Sequence, residues 1–158
     1  MALKQRIEGV KQTKVWYGEL PVESIYTAGI AGEKFFTALK EKGEITGTRC
    51  DRCGIVYVPG RIFCERCLEQ LNKWVKVSPT GTLLSWTVLY VGLDGKRLAQ
   101  PEVVGLVKLD GASTAIVHRL GGVKLDELSI GMKVSAVFKP KAKREGAITD
   151  ILHFQPES

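Results

Sequence analysis

Histidine is nearly missing from this 158-residue chain, which has only His118 and His153. Both fall in stretches that alternate like strands, so both read as structural. No glycine-rich phosphate loop follows a strand, and no G-x-S-x-G nucleophile turn occurs. Cysteine is absent outside residues 50–67. No apolar run approaches the roughly 20 residues of a membrane helix. The first thirty residues hold no apolar core followed by a small-residue cleavage site, so a secreted, oxidised protein is not expected. Internal repeats and low-complexity segments are also lacking. These absences disfavour hydrolase, nucleotidase and thiol-nucleophile chemistry. The chain is expected to be cytoplasmic, to have no membrane partner, and not to be an enzyme by itself.

Charge is modest. Twenty-three basic residues stand against seventeen acidic ones, a net +6. Denser basic spots occur at Lys4, Arg6, Lys11 and Lys14, and again at Lys139, Lys141, Lys143 and Arg144. A mild excess of this kind favours anionic partners, phosphorylated cofactors as well as nucleic acids.

All four cysteines lie in one stretch, Cys50-Asp51-Arg52-Cys53 and Cys64-Glu65-Arg66-Cys67. Two C-x2-C pairs can point inward from two tight turns and meet one tetrahedral ion. Zinc suits four thiolates with no open position, so Cys50, Cys53, Cys64 and Cys67 are the candidate metal ligands of a structural zinc ribbon. Iron fits four thiolates too. Two disulfides would need an oxidising compartment, and a redox C-x-x-C does not explain two such pairs side by side.

The chain divides into an N-terminal arm and helix (residues 1–45), the ribbon (46–78) and a β domain (79–158). The arm lacks a clean period but carries Val15, Trp16, Tyr17, Leu20 and Tyr26. So many aromatics predict that it packs on something, either this chain or a partner. Residues 33–42 predict a helix with Phe35, Phe36 and Leu39 on one face, Glu33 in its first turn and Gly43 as its stop. That face can serve core packing or dock in a groove. Short strands are predicted over 55–58 and 73–77, with a turn at Pro59-Gly60.

From Thr80 onward the pattern is all β. Residues 80–91 form a β-rich run whose Leu84, Trp86, Val88 and Tyr90 share a face and read as core. Residues 102–109 and 113–120 flank Asp110-Gly111, a strong hairpin signal. Residues 132–139 alternate, with Met132, Val134, Ala136 and Phe138 inward. Residues 147–154 place Ile148, Leu152 and Phe154 on one face. Five strands, the first long enough to bend, predict a mainly β protein ending in a five-stranded OB-fold barrel, with an SH3-like barrel as the alternative.

Several short motifs stand in order: Phe35-Phe36-Thr37-Ala38-Leu39-Lys40-Glu41-Lys42-Gly43, Gly47-Thr48-Arg49-Cys50, Cys53-Gly54, Pro59, Trp74, Gly81-Thr82, Ser85-Trp86-Thr87-Val88, Pro101, Val107-Lys108-Leu109-Asp110-Gly111 and Ile130-Gly131-Met132-Lys133-Val134. Together the chain resembles the family known as domain of unknown function 35, a rubredoxin-like zinc ribbon joined to an OB-fold, over residues 33–155. One departure is Leu68, where a second glycine often follows the knuckle. The longer arm resembles that of archaeal members. The resemblance implies an accessory protein of acyl-CoA enzymes. In archaea it implies a scaffold holding acetoacetyl-CoA thiolase and hydroxymethylglutaryl-CoA synthase together at the head of the mevalonate pathway, so that an intermediate passes between them.

CoA or acyl-CoA, held jointly with partner enzymes, would meet Lys139, Lys141, Lys143 and Arg144 as candidate phosphate contacts. The rival reading is a single-stranded nucleic-acid-binding module, since OB-folds bind strands with stacking aromatics in a basic groove. With Trp86 and Tyr90 assigned to the core and the charge dispersed, nucleic acid is the less favoured partner.

Overall fold

The computed structural model describes residues 26–157. The expected docking residues Trp16 and Tyr17, and the basic residues Lys4 to Lys14, lie outside the described residues; Tyr26 lies at their edge and is exposed. The protein is mainly β, with one α-helix, a ribbon and a five-stranded barrel.

Helix α1 spans Gly29–Lys42 and starts earlier than the periodicity predicts. Its first turn therefore contains no acidic residue, and Glu33 falls beyond it. The stop is as expected. Gly43 takes φ 67°, a left-handed conformation that costs glycine little, and its N–H donates to the Leu39 carbonyl at 3.0 Å. Phe35 and Leu39 are buried, so this face packs into the core.

The ribbon is a three-stranded antiparallel sheet in the order β2-β1-β3, with β1 at Ile45–Arg49, β2 at Val56–Tyr57 and β3 at Lys73–Val77. The barrel follows: β4 at Thr80–Val91, β5 at Arg97–Leu109, β6 at Ala115–Leu120, β7 at Lys133–Phe138 and β8 at Ile151–Pro156. It closes in the order β4-β5-β6-β8-β7, and β6 meets β8 in parallel at Leu120 and Phe154. That Greek-key closure is the OB-fold.

One apolar core runs through both parts. Phe35, Leu39, Ile45, Val58 and Val77 join Leu83, Val107, Leu109, Ile116, Val134, Ile151 and Phe154. The ribbon is also stitched to the barrel by hydrogen bonds. In the β5–β6 turn, Ser113 binds the free edge of β2 and Thr114 binds Val58 just beyond it. Val56 N–H donates to Ser113 Oγ at 3.0 Å, and Ser113 N–H donates to the Val56 carbonyl at 2.8 Å.

Two face assignments need correction. Leu84, Trp86 and Tyr90 are exposed, and Val88 is only half-buried. The core residue of this strand is Leu83. An irregularity between Leu83 and Ser85 shifts the alternation by one residue, and β7 covers β4 only from Thr80 to Thr82. Beyond that point β4 is bare on its β7 side while still paired with β5. In the last strand, Ile151 and Phe154 point inward while Ile148 and Leu152 are exposed. Residues 148–150 form a 3-10 turn rather than strand, because the Asp150 carboxylate gathers the N–H groups of Glu145, Gly146 and Ala147. Among the described residues no helix is long and apolar enough to cross a membrane.

Candidate metal centre

The two knuckles are built alike. After Cys50 the chain folds back so that Gly54 N–H donates to the Cys50 carbonyl at 2.8 Å, and Cys53 N–H points at Cys50 Sγ at 3.4 Å. After Cys64, Leu68 N–H donates to the Cys64 carbonyl at 2.9 Å. Gly54 has φ 69° and Leu68 φ 60°, so Leu68 takes the left-handed conformation that its counterpart gives to glycine. The second turn keeps its geometry despite the leucine, whose side chain is exposed.

These turns bring four sulfurs together. The Sγ atoms of Cys50, Cys53, Cys64 and Cys67 lie within 4.8 Å of one another, and Cys50 Sγ is 3.6 Å from Cys67 Sγ. A tetrahedral zinc with Zn–S bonds near 2.3 Å would set the sulfurs about 3.8 Å apart. The donor set therefore fits such an ion, and all four thiols are free of disulfides. Cys50 and Cys64 are fully buried, with Cys53 and Cys67 nearer the surface.

Tyr57 was not legible as part of this centre. Its buried hydroxyl lies 3.2 Å from Cys64 Sγ and donates to it once that sulfur is a thiolate. The contact draws the Cys64 thiol down to about 6 and pushes the Tyr57 phenol up to about 12. Cys53, hydrogen-bonded among the other thiols and desolvated, is pushed up to about 12. A thiol cluster of this kind releases protons on binding a cation.

Family models match both parts: the rubredoxin-like zinc ribbon domain of ChsH2 at residues 37–71, and the C-terminal OB-fold domain of ChsH2 at residues 74–139. A DUF35 domain-containing scaffold protein of Methanothermobacter thermautotrophicus is 30% identical over 113 residues, covering 68% of this chain and 80% of the relative. The chain belongs to the DUF35 family. A second DUF35 domain-containing scaffold protein, from Methanocaldococcus jannaschii, is 29% identical over 121 residues, or 75% of this chain and 85% of the relative. Among solved structures, a DUF35 family protein of unknown function from Sulfolobus solfataricus aligns with TM-score 0.63 and 25% identity over 82% of this chain and 87% of that one. The Ltp2–ChsH2(DUF35) aldolase aligns with TM-score 0.58 and 26% identity over 78% and 91%.

The other candidate residues of this DUF35 chain do not converge on the metal centre. Lys139 is half-buried, 3.8 Å from the Asp150 carboxylate. Arg144 Nε donates to the Lys139 carbonyl at 2.8 Å, and its guanidinium lies over Gly43, where a Cβ would come within 2.7 Å. That pair holds the loop to the end of α1, a favourable place for a cation. Lys141 and Lys143 remain exposed. His118 accepts from Arg119 N–H at Nδ1, at 2.8 Å, and its Nε2 lies 3.3 Å from the Ile148 carbonyl. Burial lowers its pKa. His118 and His153 stand in β6 and β8 of the barrel, away from the four thiols of the ribbon.

Proposed function

We propose that this chain is a non-catalytic zinc-binding scaffold of acyl-CoA enzymes, bridging acetoacetyl-CoA thiolase and hydroxymethylglutaryl-CoA synthase so that acetoacetyl-CoA passes between them. The observation that carries the reading is the thiolate cluster: four sulfurs lie within 4.8 Å of one another, and an ion held by all four would have no position left for water or substrate. Zinc there would be structural, held by Cys50, Cys53, Cys64 and Cys67, with Tyr57 supporting Cys64. The scaffold role is supported by the two curated relatives. Association with an enzyme is supported by the aldolase in which a DUF35 protein accompanies Ltp2. The choice of thiolase and synthase rests on the family resemblance.

CoA or acyl-CoA would be held jointly with the partners. Lys141 and Lys143 suit its phosphates better than Lys139 and Arg144, which hold the loop. The test is reconstitution: the full chain, zinc-loaded, mixed with both enzymes, should form a stable complex and raise the coupled rate, because a tethered neighbour meets the intermediate at roughly millimolar effective concentration. The chain alone should turn over no thioester. Failure to bind either enzyme overturns the reading.

One observation favours single-stranded nucleic acid as a second reading: Trp86 and Tyr90 are exposed rather than buried. Apart from Arg97, opposite Val91, the charges beside them are held in ion pairs and do not extend it into a phosphate-tracking groove. Arg119 is paired with Glu102 at 3.1 Å, and Lys96 with Asp94 at 3.7 Å.

A further inference from the structure

The β4–β5 hairpin runs past the barrel that it helps to close. β7 pairs with β4 only at Thr80–Thr82, and β6 pairs with β5 only from Val103 onward. From Ser85 to Val88, β4 is therefore a bare edge, with β5 and then β6 on its other side; from Leu89 to Glu102 the hairpin is two-stranded, with no third strand beside it among the described residues. From Leu84 to Val91 the bare edge extends roughly 23 Å at strand rise. The two-stranded end is marginal alone in water.

Its composition is unusual for an unprotected edge. β4 contains no charged residue from Thr80 to Val91. Natural edge strands are blunted with lysine, proline, inward charges or bulges; this strand has no charge and no proline, and its stretch from Ser85 to Leu89 holds no irregularity. Instead Trp86 is 36% exposed, Leu89 40%, Tyr90 50% and Val91 55%, with Leu93 fully exposed at the tip. Ser85 to Leu89 keep regular register with β5, so Trp86 and Leu89 stand on opposite faces. Large apolar side chains therefore stand on both faces, although Glu102 lies opposite Leu89.

Three features decide what covers it. First, residues 84–102 carry two acids, Asp94 and Glu102, and two bases, Lys96 and Arg97. The hairpin is neutral on a chain of net charge +6, so it does not match a polyanion or an anionic lipid surface. Second, the depression beside Trp86 has a volume of about 180 Å³, smaller than the roughly 300–1,000 Å³ of small-molecule pockets. Third, a second copy joined edge to edge through β4 would leave the apolar side chains of both faces in water. A cleft that receives the hairpin covers both.

We propose that the β4–β5 hairpin is the docking finger of this protein, and that it inserts into an uncharged, apolar cleft on a partner acyl-CoA enzyme. This inference rests on the scaffold reading and names the surface that performs it. Trp86, Leu89, Tyr90 and the tip residue Leu93 are the anchors, and the two aromatics match the enrichment of such residues at interface hot spots.

The experiment compares the full, metal-loaded chain with two variants, Leu89→Glu and Leu93→Asp. Leu93 is fully exposed, so its replacement leaves the fold intact even if Leu89→Glu does not. Affinity for thiolase and for synthase is measured separately, with mass by sedimentation as a second readout. The expected result is that wild type binds one of the enzymes and that either variant weakens this by roughly 30-fold, the loss of one hot spot. Unchanged affinity in both variants overturns the docking finger and leaves the scaffold reading standing. If wild type binds neither enzyme, the scaffold reading fails and the finger with it. A wild-type dimer that the variants dissociate replaces the enzyme by a second copy of this chain. Retention of single-stranded RNA that the variants abolish replaces it by nucleic acid.

Discussion

The Thr114 hydroxyl closes a two-way bond with Val58: its Oγ1 accepts from the Val58 N–H at 2.8 Å and donates to the Val58 carbonyl at 3.0 Å. One barrel side chain thus satisfies both backbone groups of a ribbon residue whose own sheet has ended. Thr114→Val keeps the shape and removes the bonds. It should destabilise the protein by about 1–3 kcal/mol, the cost of leaving buried backbone groups unpaired, as read from denaturant midpoints. Zinc transfer to a chelator should also become faster.

The centre should hold one zinc per chain. Elemental analysis of reduced, purified protein checks this, and Cys64→Ser should lose the metal. Metal-coupled folding amounts to about 10–16 kcal/mol in isolated finger peptides. Because Ile45, Val58 and Val77 pack into the same core as the barrel, chelation should lower the thermal midpoint of the whole protein. A barrel transition that ignores the chelator would contradict the shared core.

Gly54 and Leu68 occupy equivalent turns at φ 69° and 60°, so matched substitutions should have opposite signs. Leu68→Gly should stabilise the metal-loaded protein by about 1 kcal/mol by relieving left-handed strain on an exposed residue. Gly54→Ala should destabilise it by about the same amount. Equilibrium unfolding of the two variants side by side tests the pair.

The position of the strand face is tested at adjacent residues. Leu83→Ala should cost about 2–5 kcal/mol, as for a fully buried leucine. Leu84→Ala, on an exposed side chain, should cost less than about 1 kcal/mol. The reverse order would restore the alternation that places Trp86 and Tyr90 in the core.

Asp150 gives a pH signature. Burial raises its pKa, but the N–H groups of Glu145, Gly146 and Ala147, with Lys139 nearby, outweigh that and leave it below the usual carboxylate range. A carboxyl depressed on folding stabilises the native state above its unfolded pKa of about 3.9, and that contribution is lost as pH falls through the folded value. Asp150→Ala should therefore destabilise at neutral pH by about 1.5–3 kcal/mol, the scale of hydrogen bonds to a charged group. The difference from wild type should shrink on acidification. Urea titrations at pH 7 and pH 3 provide the check.

The elements that the sequence made legible are those with local signals. The two C-x2-C pairs, the Phe35–Leu39 stripe, the Gly43 stop and the Asp110-Gly111 turn each declare themselves within a few residues. The inward face of β4 did not, because alternation allows either parity and a single irregularity at Leu84 chooses. The Ser113 and Thr114 bonds join residues 56–57 positions apart, where no local pattern reaches. Tyr57 carries no signal beyond that of an aromatic in the 55–58 strand, and only the fold sets its hydroxyl against Cys64 Sγ. By sequence Lys139, Lys141, Lys143 and Arg144 are alike as candidate phosphate contacts, yet Lys139 and Arg144 are engaged by Asp150 and by the end of α1.

The stitched edge of β2 also limits how such proteins can be recombined. Ribbon and barrel are matched by separate family models, meeting between residues 71 and 74, and a cut there looks harmless. A ribbon grafted from a relative would arrive with an edge tailored to another protein's β5–β6 turn, and with half of a core shaped for another barrel. Ser113 and Thr114 would have to travel with it, although they lie on the far side of the cut. Heritable exchange in this family, by evolution or by design, should therefore move the span from α1 to β8 whole, and chimaeras joined at residue 72 should fold only when the turn is swapped as well.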